Sequence, residues 1–192
     1  MLSVKGANPG RGPEKYAGKR RIRVRDAAGG EVTPEADSNR KAHRKRQKSR
    51  RTAFLRYLLV ILIGNLVWEA LQMPLYTLWV DGTWGQIVYA LVHCTLGDVL
   101  IGAATLLAAL LLLRAAAWPD TGRGQVMIVT LALALAYTVF SEWLNVEVRQ
   151  SWAYRDIMPR LPWLGTGLSP LVQWIAVPLL AFRLSHGPGP DR

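Results

Sequence analysis

Hydrophobic and polar positions divide the chain sharply at about residue 52. Before that point Gly, Pro and like charges dominate, in stretches such as "NPGRGPEKYAGKRRIRVRDAAGG" and "RKAHRKRQKSRR". Too few apolar side chains occur there to offset the entropy of ordering the chain, so residues 1–52 read as a disordered basic tail. Four apolar runs follow. The first, "FLRYLLVILIGNLVWEALQM" at about 54–73, is stopped or kinked by Pro74. The second covers about 86–113, the third is "VMIVTLALALAYTVFSEWLN" at 126–145, and the fourth is "LSPLVQWIAVPLLAFRL" at 168–184, which carries Pro178. Each approaches or exceeds the roughly 20 residues that cross a hydrocarbon core of about 30 Å. The second is long enough to require tilt or an interfacial first turn. "LALALA" at 131–136 alternates like a strand, but the length of the surrounding apolar run makes helix the better reading. The pattern predicts an all-α membrane protein: a four-transmembrane-helix bundle over 53–186, an outer loop at 146–167, and a short C-terminal tail at 187–192.

Charge changes this picture in one respect, orientation. Residues 1–52 hold 16 of the 24 Lys+Arg and 5 of the 13 acidic residues, whereas the rest of the chain is balanced. The pI of about 10.4 therefore describes the tail. Basic residues beside a hydrophobic segment bind anionic headgroups and hold that end in the cytoplasm. The cluster from Arg40 to Arg51 is read in this way, and a nucleic-acid partner is the weaker reading of it. An even number of crossings then returns the C-terminus to the cytoplasm, with Arg114, Arg123, Arg183 and Arg192 on the same side. The expected location is the cell inner membrane. "SRRTAFLRYLL" is similar to a twin-arginine signal, but no small-x-small cleavage site follows, so the first run reads as an anchor. Seven of the eight tryptophans fall near the outer ends of segments or in outer loops, where such rings anchor at an interface. Cys94 is the single cysteine, which rules out an intrachain disulfide and reads as a small buried filler.

The polar residues inside the apolar runs are the informative ones, because each is costly to insert into a bilayer. Asn65, Glu69 and Gln72 are spaced i, i+4, i+7 and form one helical face. Thr138, Ser141, Glu142 and Asn145 do the same on the third run, and Gln173 lies near the start of the fourth. On the second run, Gln86, Tyr89, His93 and Gly97 share a face. Asp98 lies roughly 140° round from His93 at about 100° per residue and aligns with Cys94, Gly102 and Thr105. One cluster or two are open on this spacing. Four segments thus place polar groups in the same outer half of the membrane. His93, Asp98, Glu69 and Glu142 are the candidate acid–base residues, and Gln72, Asn145, Gln173, Trp152 and Tyr154 the candidate pocket residues. Interhelical hydrogen bonding alone is the competing account of the same residues. The stretch "SWAYRDIMPRLPWLGTGLSPLVQ", too apolar for a free loop and too broken for a helix, is expected to fold back over the outer mouth, with Trp152, Tyr154 and Trp163 on its underside.

No metal-ligand spacing, phosphate loop, nucleophile elbow or dinucleotide fingerprint occurs, and the sequence names no cofactor or oligomeric state. "WEALQMPLYTLW", "HCTLGD", "SEWLNV", "SWAY" and "PWLGTGLSPLVQW" resemble a group of uncharacterised small bacterial multi-pass integral membrane proteins over about residues 55–184. A weaker likeness is to the emopamil-binding-protein class of sterol isomerases, which the positions of His93, Glu142 and Trp143 resemble loosely. That class spaces its histidine and acid four apart, whereas Asp98 follows His93 by five. The leading expectation is a membrane protein of unknown activity with a polar intramembrane pocket towards the non-cytoplasmic face, and a lipid-like molecule as the ligand it would take. The alternatives are a membrane enzyme acting on a lipid-like substrate by acid/base chemistry and a non-catalytic assembly subunit.

Overall fold

The structure, a computed structural model, describes residues 24–25, 31–32 and 34–185. The chain divides into two units, Met1–Arg44 and Lys45–Arg192. In the first, Val24–Arg25 (β1) pairs antiparallel with Glu31–Val32 (β2). All other regular structure is helical: α1 (Pro34–Gln72), α2 (Leu78–Asp81), α3 (Trp84–Leu112), α4 (Arg123–Trp143) and α5 (Leu168–Leu184).

The start of α1 corrects the reading of 1–52 as wholly disordered, because 34–52 are helical. This stretch is rich in Ala, Arg, Lys and Gln, which are good helix formers. It opens on Pro34 with Glu35 and Asp37 in the first turn, and Asp37 pairs with Lys41 at 2.8 Å one turn on. A helix continued from an apolar segment needs no second nucleus, so little packing is required to extend it. Residues 1–23, 26–30 and 33 of the expected tail lie outside the described residues.

Three helices, within Glu35–Leu75, Trp84–Leu112 and Arg123–Val148, are long and apolar enough to cross a membrane, and Leu168–Leu184 is a shorter apolar helix. Its 17 residues span about 26 Å at 1.5 Å each. Their outer surfaces carry exposed Leu59, Ile63, Val67, Leu100, Leu111, Ile128 and Leu180, an apolar coat that fits lipid. Local chemistry sets the boundaries. Helix α1 gives way to a 3₁₀ turn, Met73–Leu75, around Pro74. A reciprocal capping box opens α3, in which the Gln86 amide N–H donates to Thr83 Oγ1 and the Thr83 N–H to Gln86 Oε1.

Helix α1 runs antiparallel to both α3 and α5, and α4 packs on α3 and α5 from the other side. Two glycines permit the close approaches of α1. A Cβ on Gly64 would lie 2.7 Å from Val177 Cγ1, and one on Gly102 would lie 3.1 Å from Ile61 Cγ2. One end of the bundle is sealed by an apolar core that includes Tyr57, Ile61, Leu106, Trp118, Val126 and Phe182. The other end is different. There the buried side chains include Asn65, Glu69, Gln72, Asp98, Thr138, Glu142 and Gln173.

Candidate functional site

Gln173 organises the polar end. Its Nε2 lies 3.0 Å from Asn65 Oδ1, 3.1 Å from Glu69 Oε1 and 3.1 Å from Asp98 Oδ2, so one amide from α5 reaches α1 and α3 at once. Its Oε1 accepts from Gln72 Nε2 at 3.1 Å, and the same Gln72 amide donates to Glu69 Oε1 at 2.9 Å. The chain of bonds continues outward. Ser169 Oγ donates to Gln72 Oε1 at 2.7 Å and accepts from Trp68 Nε1 at 3.2 Å. The Glu69 and Asp98 carboxylates thus share one amide donor, Gln173 Nε2, across α1 and α3.

Beside this network lies a cavity of about 350 Å³, within the usual range for ligand pockets. Glu69, Gln72, His93, Asp98, Glu142, Asn145, Trp152 and Gln173 all line it, together with Tyr76, Cys94, Tyr137 and Arg149. Eight of the nine residues expected at the site therefore meet at one cavity. Tyr154 stands behind the wall. Its hydroxyl donates to Glu142 Oε2 and accepts from the Gly167 N–H at 3.1 Å. Burial first, and then the Glu142 carboxyl, raise the Tyr154 hydroxyl above the ordinary phenol range.

Trp163 and Cys94 depart from expectation, and His93 sits at the edge of the site. His93 lines the cavity but is exposed, and it stacks on the exposed Tyr89 at 5.6 Å rather than bonding to a carboxyl. The buried face of α3 is the one with Thr95, Asp98, Gly102 and Thr105, because Gly102 lets that face approach Ile61. Trp163 is 97% exposed, so it forms no part of the underside of the outer loop. Cys94, expected as buried filler, is half-buried on the cavity wall.

The loop itself is tied down. After α4 a π-type turn, Leu144–Val148, carries the chain outward, and Gln150 adopts a left-handed backbone with φ of 51°. Arg155 then donates from Nη1 to Pro74 O at 2.8 Å and from its backbone N–H to Leu75 O at 2.9 Å. The Thr77 N–H donates to Ala153 O at 3.0 Å. These bonds join the loop to the α1–α2 connection and hold the half-buried Trp152 over the cavity. The Trp152 indole N–H is a buried donor without a hydrogen-bond partner in the protein.

Sequence reasoning missed Ser169, Arg155 and Tyr76. Ser169 had a usable signal, since it precedes Gln173 by four and shares its face. Arg155 and Tyr76 lie in connections between helices, which carry no periodicity. Among the described residues, no group of three His, Cys, Asp or Glu side chains is placed to hold a metal ion. Fold and site together define the class, a helical protein with three helices long and apolar enough to cross a membrane and a polar cavity between its helices. Comparison with family models, curated proteins and solved structures found no match, so the functional reading rests on the residues themselves.

Proposed function

We propose that this is a four-crossing protein of the inner membrane, with both termini cytoplasmic, whose polar pocket faces the non-cytoplasmic side and binds the polar group of an amphiphile. The observation that carries the reading is the cavity. Side chains serving only to glue helices together would close upon one another. Here carboxyls from α1, α3 and α4 instead surround about 350 Å³ of space, and a polar void of that size is filled by water or by a ligand. An unused donor adds support, because Trp152, in the lining, has a buried Nε1 without a protein partner. The orientation is supported by arginine placement. Arg114, Arg123 and Arg183 lie at the apolar-core end of the bundle and residues 73–83 contain no basic side chain, but Arg149, Arg155 and Arg160 in the other loop of the polar end dilute that pattern, so the basic cluster ending at Arg51 carries the orientation.

Acid–base chemistry on a lipid-like substrate is a second reading, favoured by one specific feature. The Glu69 and Asp98 carboxyls, which share the Gln173 amide, and the Glu142–Tyr154 pair lie in and behind the wall of the same cavity, so a proton donor and a proton acceptor could flank one bound group. Native mass spectrometry of purified protein tests the binding reading. A small molecule should be retained by the wild type and lost from Asp98→Asn and Glu142→Gln at unchanged melting temperature. Bare wild-type protein, with both variants indistinguishable from it, would leave the assembly-subunit account standing instead. The catalytic reading differs in its outcome for Glu142→Gln, which would retain the molecule but no longer convert it.

A further inference from the structure

The cavity is open on one side. His93 and Tyr137 both line it, yet both are exposed on the outer surface of the bundle, Tyr137 to 46%. Gly97, one turn along α3 from His93, is also in the lining, and a Cβ placed on it meets no atom within 4 Å. Ser141, one turn along α4 from Tyr137, completes the frame. Towards the other end the same two helices close, with Leu106, Ala109 and Val126 fully buried. The end beyond the gap is covered by the strapped loop. The surface around the gap is apolar, with Val92, Leu96 and Leu100 exposed on α3 and Phe140 on α4. An opening between two membrane-crossing helices, rimmed by apolar side chains, faces lipid rather than water.

We propose that this gap is a lateral portal through which a phospholipid enters from the bilayer, its headgroup in the cavity and an acyl chain passing over Gly97 into the leaflet. The inference rests on the pocket being a binding pocket, and it adds the route and the class of ligand. The lining fits a headgroup that carries both charge signs or several hydroxyls. Glu69, Asp98 and Glu142 accept from an ammonium or hydroxyls, and Arg149, in the lining near the loop, meets the phosphate. The absence of a side chain at Gly97 leaves open space in the lining, into which any larger residue would project.

The test uses full-length protein reconstituted in nanodiscs of phosphatidylethanolamine and phosphatidylglycerol, re-extracted in mild detergent and weighed by native mass spectrometry. Wild type should retain one phospholipid per chain. Gly97→Phe should lower that occupancy at least tenfold, whereas Gly85→Phe, also on α3 with open space at its Cβ but away from the cavity, should not change it. Tyr137→Ala widens the frame and should speed exchange of the retained lipid for a deuterated one at least fivefold. That measurement decides the matter if Gly97→Phe does not fold. Equal occupancy in all variants, with exchange unchanged in Tyr137→Ala, would overturn the portal and leave the pocket reading intact. Wild type that retains no phospholipid would overturn the portal and the amphiphile reading together.

Discussion

Replacing Gln173 by leucine removes the group that joins three helices while keeping nearly the same volume. The Nε2 of Gln173 has two hydrogens and three acceptors within 3.0–3.1 Å, so two bonds are made at a time, and its Oε1 accepts a third from Gln72. Interhelical hydrogen bonds inside membranes average about 0.6 kcal/mol each, which gives about 2 kcal/mol for the three. Glu69 keeps its bond from Gln72 at 2.9 Å, but Asp98 loses the Gln173 donor, and a buried acceptor left short of partners costs about 1–3 kcal/mol more. The expected loss is about 3–5 kcal/mol. Equilibrium unfolding in mixed micelles, followed by tryptophan fluorescence, measures it. Adding Asp98→Leu removes the stranded acceptor, so the double variant should lose at least about 1 kcal/mol less than the sum of the two single changes. A loss below about 1 kcal/mol, or strict additivity, would refute the claim that this amide holds the polar end together.

Four further outcomes are expected. Gly64→Ala puts a methyl 2.7 Å from Val177 Cγ1 and should destabilise the bundle by about 1–3 kcal/mol, with much of the loss recovered by adding Val177→Ala in the same unfolding assay. Tyr154→Phe removes the bonds to Glu142 and Gly167, so amide hydrogen exchange across 150–158 should quicken while that of α1 stays unchanged. The same hydroxyl predicts an alkaline limit: its folded-state pKa is raised, so its contribution is complete below the unfolded phenol value of about 10 and is lost as pH rises beyond it. The melting temperature should therefore fall above that pH in wild type and fall less in Tyr154→Phe. Reporters fused at Lys48 and after Arg192 should read out as cytoplasmic and one within 151–163 as external; an external C-terminus would remove the crossing by α5.

The apolar runs alone marked where the helices lie, because a chain that must satisfy its backbone in lipid has few options beyond helix. Observed α5 (Leu168–Leu184) matches the fourth run residue for residue, and α3 and α4 begin within three residues of the expected starts. The face carrying Asn65, Glu69 and Gln72 was equally legible, since 3.6-residue periodicity is a local property. Local periodicity has nothing to say about which of two polar faces turns inward. Helix α3 carried one with His93 and one with Asp98, and only the fit of Gly102 against Ile61 buried the second and left His93 at the rim. The same limit applies to the loop. Its aromatic content announced contact with the bundle, but Trp152 and Tyr154 turn towards the cavity and Trp163 away because Arg155 and Ala153 bond to the backbone of residues 74–77. Those partners are some 80 residues apart in the chain. Composition and periodicity determine what each segment can bury, and long-range packing decides which buried groups meet.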